Sequence, residues 1–327
     1  MSEYIGRQSA VGVAVESTRG TAETTASRWI RKSTADVIQN VDKVIDESSF
    51  GRLEESPTSR RVRAWYEGSI EGNLHADVIG YLFYQLYGAV DTTTVAGSVK
   101  DHEFTLDNTI EHPTLSIFNK DGVKQEVLNG GVVSEMSISA TTDAIVSFSS
   151  TIMAKDSASN TDTVDYSETE YDFVGKDITI KIADTEGGLT SATALKVKSA
   201  DINWNANAIA DYAFGEDTPD NIYNSRFALD IELTKNYVDE VFENLWKSDD
   251  AKYMQIQIKG SQNIGGSNNP TITITLNKVQ VQDWSKSDDN DALAEESVTL
   301  KAFYNETDEE QSKVVVRNLT ASYQIGS

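Results

Sequence analysis

The residues able to do chemistry are sparse in this 327-residue chain. It has no Cys and only His75, His102 and His112. Without Cys there is no disulfide framework, no thiolate zinc site and no thiol nucleophile. The histidines lie far apart in sequence, which leaves little for metal ligation or general-base work. No HExxH, GxSxG, GxGxxG or GxxxxGK[ST] pattern occurs. Asp288-Asp289-Asn290-Asp291 followed by Glu295-Glu296 has the carboxylates of a calcium loop but not the glycine its sharp turn needs, so it reads as a solvated hairpin tip. Carboxylate pairs such as Glu54-Glu55 or Asp230 with Glu232 follow from composition, and nothing selects one as a glycosidase pair. His75 falls at the boundary of a helical pattern and reads as a surface residue. The expectation is a protein that is not an enzyme and carries no cofactor and no metal.

Charge narrows the partners. There are 28 Lys plus Arg against 52 Asp plus Glu, a formal net charge of -24. Binding to nucleic acid by charge rests on cations neutralising phosphates, which this balance opposes. Acidity also keeps a crowded protein soluble. The N-terminus lacks a basic segment followed by an apolar run, so no signal peptide is expected. No stretch approaches the roughly 18 apolar residues of a spanning helix, so no membrane insertion is expected.

The elements that must position any site are mostly strands. Ile180–Lys196, Phe227–Leu233, Met254–Lys259, Thr271–Leu276, Lys278–Val281 and Val314–Val316 alternate or are β-branched. Turn signals punctuate them, among them Asn129-Gly130-Gly131 and Glu186-Gly187-Gly188. Asp156–Thr169 is polar and aperiodic and reads as an interdomain linker. Two segments have helical periodicity. Leu74–Tyr87 aligns Leu74, Val78, Tyr81, Leu82 and Leu86, with Gly88 as a stop. Asn236–Ser248 aligns Val238, Val241, Phe242, Leu245 and Trp246. Each follows a strand. Trp65 and Tyr66 are adjacent on the strand Arg63–Ile70, so one of them points away from its own core and suits a subunit interface.

These strand–helix pairs repeat. Ala35-Asp36-Val37 matches Ala200-Asp201-Ile202, Phe50-Gly51 matches Phe214-Gly215, and Ala64 matches Ala228, all at offsets near 164. After a longer connection in the first copy (88–113), Leu128-Asn129 matches Leu276-Asn277. Thr151 and Ala154 match Thr299 and Ala302 at the same offset of 148. One length change reconciles all blocks, which predicts a tandem duplication. The expected division is an N-terminal arm at 1–29, a first domain at 30–155, a linker at 156–174 and a second domain at 175–327.

The stretch Val11–Val37 resembles the N-terminal segment of major tail tube proteins of long-tailed bacteriophages, through Gly12, Ala14, Glu16, Ser17, Arg19, Gly20, Thr21 and Trp29. Gly51–Gly88 and the hairpin Gly131–Lys155 are similar to that family's order of elements. The resemblance implies a mainly β fold of two tandem β-sandwich tail-tube domains, each with a flanking helix and each giving strands to a central tube barrel. It implies a structural virion protein of the tail, made in the host bacterial cytoplasm. Its partners would be its own copies in trimeric, pseudo-hexameric stacked rings, tape-measure and tail terminator or initiator proteins, and double-stranded DNA in non-sticking passage. A secreted or surface β-sandwich protein is the alternative. Glu67, Glu71, Glu135, Asp143, Asp230 and Glu232 are the expected lumen-facing carboxylates. Arg7, Arg19, Trp29, Trp65, Tyr66 and Asp101 are the expected contacts between subunits or rings. The arm 2–28 and the connection 91–107 are expected to become ordered on a neighbour.

Overall fold

A computed structural model describes residues 3–56, 58–167 and 170–324. The first half runs β1 (Ala10–Val15), β2 (Arg28–Ile30), β3 (Lys32–Ala35), β4 (Ile38–Ile45), β5 (Ser59–Asn73), α1 (Ala76–Tyr87), β6 (Gly88–Ala96), β7 (Val99–Leu106), β8 (Leu115–Lys120), β9 (Gln125–Thr141), β10 (Ser147–Ala154) and β11 (Asp156–Ser159). The second runs β12 (Ile178–Ala183), β13 (Val197–Asn205), β14 (Ile209–Asp211), β15 (Asn221–Tyr223), β16 (Ala228–Asn236), α2 (Val241–Ser248), β17 (Lys252–Lys259), β18 (Thr271–Ser287), β19 (Glu295–Ala302) and β20 (Ser312–Asn318). The fold is mainly β, antiparallel throughout, and built as sandwiched layers.

One layer is continuous across both halves. Its order is β3/β4–β5–β10–β9 from the first half, then β13–β16–β19–β18 from the second, joined by the β9–β13 ladder. The other layer is β2–β1–β8–β9–β11 in the first half and β12–β17–β18–β20–β7–β6 in the second. The 17-residue strands β9 and β18 pass from one layer to the other. Alternation decides which face is buried: β13 and β19 bury every second residue.

The halves share more than an order of strands. In β9–β10 the ladder shifts between Thr151, opposite Glu135, and Ile152, opposite Val133. In β18–β19 it shifts between Thr299, opposite Asp283, and Leu300, opposite Val281, which is 148 residues on for every partner. The irregularity at Lys32/Thr34 recurs at Val197/Ser199, and that at Leu115/Ile117 recurs at Lys252/Met254. A bulge re-aims every side chain beyond it, so coincident bulges give the two halves the same in-and-out pattern.

The two layers and α1 enclose one hydrophobic core that spans both halves, from Val11 and Ile70 to Leu233, Ile274 and Val314. Helix α1 is buried almost all round, and Gly88 ends it at φ +86, its N–H donating to the Tyr84 carbonyl. Phe83 meets Trp204 edge-on at 5.5 Å between ring centres. Trp204 Nε1 donates to the Tyr87 hydroxyl at 3.1 Å, and burial pushes the Tyr87 phenol up to about 12. Each such fully buried apolar side chain contributes about 1.5–3 kcal/mol.

Several expectations are corrected. The segment 180–196 is not one strand: β12 ends at Ala183, a 3-10 turn covers Gly187–Thr190, and β13 starts at Val197. The glycine pair there makes a turn inside what reads as a β-rich run. Helix α2 starts at Val241 because β16 extends to Asn236, and Val238 is exposed. His75 is buried at the start of α1, 3.7 Å from Glu170 and 3.6 Å from Asp172. Within the expected arm, Ala10–Val15 is a fully buried strand. Val11, Val13 and Val15 enter the main core, while Ala10 and Ala14 pack with Trp29 and Phe118. The small apolar residues of this run alternate between two cores, which hides a strand signal. The polar connection 91–107 is the β6–β7 hairpin, docked on β20 of the same chain through Arg317, whose guanidinium donates to both Asp101 oxygens at 2.7 Å. The first residues of the expected linker form β11, paired to β9. The expected arm, linker and second domain also include residues 1–2, 168–169 and 325–327, which lie outside the described residues.

Candidate functional site

The continuous layer turns its other face away from the core. Cross-strand partners point to the same side, so the ladders define rows across it. One row reads Thr34–Glu71–Ser149–Ser137–Asn203–Asp230–Lys301–Gln280. The next reads Asn73–Ser147–Ser139–Asp201–Glu232–Thr299–Asp283. A third reads Ser69–Thr151–Glu135–Asn205–Ala228. This face is a field of hydroxyls, amides and carboxylates. Lys301, within it, is paired to Asp230 at 3.0 Å.

Of the expected lumen carboxylates, Glu71, Glu135, Asp230 and Glu232 lie in these rows. Glu67, opposite Met153, lies on the same face and accepts a hydrogen bond from Trp65 Nε1 at 2.9 Å. Asp143 sits in the β9–β10 turn, off the strands. Sequence reasoning missed Asp201, which alternation along β13 was enough to find, and Asp283, which reaches this face only because the bulge after Val281 re-aims β18.

The expected subunit contacts divide. Trp65 is on the polar face and Tyr66 is buried, its hydroxyl 2.7 Å from Ser157 Oγ. Tyr66 and Trp29 are both buried in apolar surroundings within their own chain. Arg7 is exposed in a 3-10 turn. Asp101 is committed to Arg317. Arg19 reaches the second half: it donates to the carbonyls of His112 and Ile222 and to Asn221 Oδ1. Glu16 builds the turn that presents it. Its buried carboxylate accepts from the Gly20 N–H at 2.7 Å, the Gly130 N–H at 2.8 Å, and the hydroxyls of Thr114 and Ser116. Burial raises the Glu16 pKa and these donors pull it back.

The layer has two free edges of defined kind. Among the described residues, β3/β4 pairs only with β5, and the C-terminal half of β18 pairs only with β19. Within the chain, the counterpart of the first (β13) is paired with the counterpart of the second (β9). Both hairpin tips beyond the layer expose a phenylalanine, Phe50 and Phe214.

An open cleft of about 690 Å³ between the halves is lined by Asp107, His112, Asn224, Arg226 and Lys301 among others. Both His112 ring nitrogens face backbone carbonyls, those of Gln85 and Asp107. Among the described residues there is no cluster of potential metal ligands, and no helix long and apolar enough to cross a membrane.

A family model for phage tail tube proteins matches residues 6–304. The chain belongs to that family. It is a structural component of the virion tail, made in the host cytoplasm, and the family assembles into a tube with other tail proteins. No curated protein matches the chain. The polar layer with two free edges is thus a layer in a tube-forming fold.

Proposed function

We propose that this tail tube protein closes into trimeric rings, pseudo-hexameric in their domains, which stack into the hollow tube through which DNA passes. The observation that carries this reading is the β9–β13 ladder, which joins a β18-type edge to a β3/β4-type edge inside one chain. The same head-to-tail joint between chains is heterologous and closes a ring when its rotation closes. It also removes both exposed sheet edges. The tandem domains run from β1 to β11 and from β12 to β20, so the first begins at Ala10 and not at residue 30.

Ring size follows from strand number. At about 4.8 Å spacing and about 40° tilt, two, three and four chains give bores near 20, 36 and 52 Å after allowing about 6 Å of side chain per wall. Duplex DNA of about 20 Å needs clearance that two chains do not give and three do. The polar rows would line that bore. Their carboxylates repel phosphate, so DNA slides without the counterion release that a basic wall would provide. The protein acts without catalysis. Tape-measure protein would fill the bore before DNA, and terminator or initiator proteins would meet the ends.

End-on averaging of assembled tubes by electron microscopy tests this. The expected image is a hollow ring with threefold symmetry and six similar lobes. Six whole chains per ring, or no ring in intact tails, rejects it.

A further inference from the structure

Resting on that ring reading, we infer the residue-by-residue register of the joint between chains: β18 of one chain pairs antiparallel with β3/β4 of the next, Ser285 opposite Ile38, Asp283 opposite Asn40 and Ser287 opposite Asp36. The inference transfers the internal joint. There Ser137 faces Asn203, Glu135 faces Asn205 and Ser139 faces Asp201. The β9–β10 and β18–β19 ladders superpose residue for residue at 148, bulge included. The β3/β4–β5 and β13–β16 ladders superpose at 165 for the outer strand, also bulge included. Both free edges therefore present the same residue spacing as the joined ones, save at Asp36–Val37, where β3 and β4 are interrupted and the Asp36 carboxylate accepts the Ser69 N–H.

The side chains at the transferred positions support the same joint. Asn205 Nδ2 donates to Glu135 Oε1 at 3.0 Å inside the chain, and the transferred pair Asn40 and Asp283 is again an amide facing a carboxylate. Asp201 beside Ser139 becomes Asp36 beside Ser287, the same two residue types. On the core side, Trp204 opposite Met136 becomes Gln39 opposite Trp284. One indole fills the joint in each case, contributed from opposite strands. A shift of two residues keeps the faces but separates every one of these pairs.

The ladder also fixes which pairs lie closest. The Thr142 N–H donates to the Lys198 carbonyl, and the Ala206 N–H to the Ser134 carbonyl. The intervening odd-numbered positions of β9 are then non-hydrogen-bonded pairs, whose side chains approach most closely. Ile38 and Ser285 fall at such a position, within the reach of a disulfide.

The chain has no Cys, so introduced pairs are read without background. Tubes of Ile38→Cys/Ser285→Cys are oxidised and run without reductant, beside Ile38→Cys/Asp283→Cys, in which the partner is displaced by about 7 Å. The inferred register gives a ladder of covalent chains that stops at the number of chains per ring. The shifted pair gives about tenfold less, because its separation lies outside disulfide geometry. Equal or stronger linking by the shifted pair overturns the register, as does absence of linking in tubes of normal appearance. If the first variant does not assemble, Thr34→Cys/Asp289→Cys, the counterpart of Ser199 and Thr141, is read the same way. Wild-type tails without rings would reject the ring reading itself, whereas rings without the expected links reject only the register.

Discussion

The two halves place different chemistry at one address. In the first half Gly72 faces Phe148 across the β5–β10 ladder. At the matching point of the second, Lys235 faces Glu296 across β16–β19. The lysine and glutamate are buried and ion-paired. Trp284 Nε1 donates to Glu296 at 2.8 Å, and the Lys235 ammonium lies 5.4 Å from the centre of the Phe242 ring. Backbone and bulges are the same on both sides. The ladder and the alternation therefore specify the sheet, and the core position needs only a pair that fills space and leaves no charge or polar group alone. A glycine with a large ring meets that requirement, as does a hydrogen-bonded ion pair.

The largest way to break this equivalence is to remove one ion. Glu296→Ala leaves an indole N–H alone and a buried ammonium with only the half-exposed Asp239 at 3.7 Å, with an expected loss of about 3–5 kcal/mol in chemical denaturation. Lys235→Gly with Glu296→Phe transplants the first half's pair. If the addresses are equivalent, the double variant loses less than the single one. A double variant as damaged as Glu296→Ala shows that they are not.

A smaller effect probes the first half. A Cβ on Gly72 would stand 2.8 Å from the Arg31 carbonyl oxygen and 3.4 Å from the Phe148 ring. Gly72→Ala is expected to cost about 1–3 kcal/mol by overpacking. Unchanged stability would mean that β3 yields freely where its counterpart is locked.

The smallest effect concerns the connection that the halves do not share. His102 holds the β7–β20 ladder, with Nε2 donating toward Asn318 Oδ1 and the Thr320 carbonyl and Nδ1 accepting from Thr92. Burial lowers its pKa, against the hydrogen bonds and Asp101, which raise it. A histidine depressed in the folded state contributes stability above its unfolded pKa of about 6.5, lost as pH falls below it. Hydrogen exchange across 88–106 is expected to accelerate relative to β8 as pH drops from 7 to 5, after correction for intrinsic rates. Uniform change across both segments would contradict this.

Much of this was legible in the sequence. The offsets of 165 and 148, found from short matches, are those of the ladders. Alternation puts Glu67 with Glu71 and Asp230 with Glu232, whereas Glu135 joins their face only through the bulge after Val133 in β9. Over β5 and β16 the true offset is 163, so Trp65 and not Ala64 corresponds to Ala228. What stayed hidden depends on partners distant in sequence. β1 packs small residues against two cores at once, and β11 takes its place only because β9 offers an edge. The polar β6–β7 hairpin takes its place from the ladder that the distant β20 forms with β7. His75 owes its burial to residues near Glu170 that no local pattern announces.

That hairpin also sets a schedule. β7 is completed early in synthesis, but its partner β20 follows about 200 residues later, on the order of 10–40 s at bacterial rates. Until then the β7 edge of the first half lacks its partner strand. The packing that spans both halves is therefore completed only when nearly all of the chain has been made.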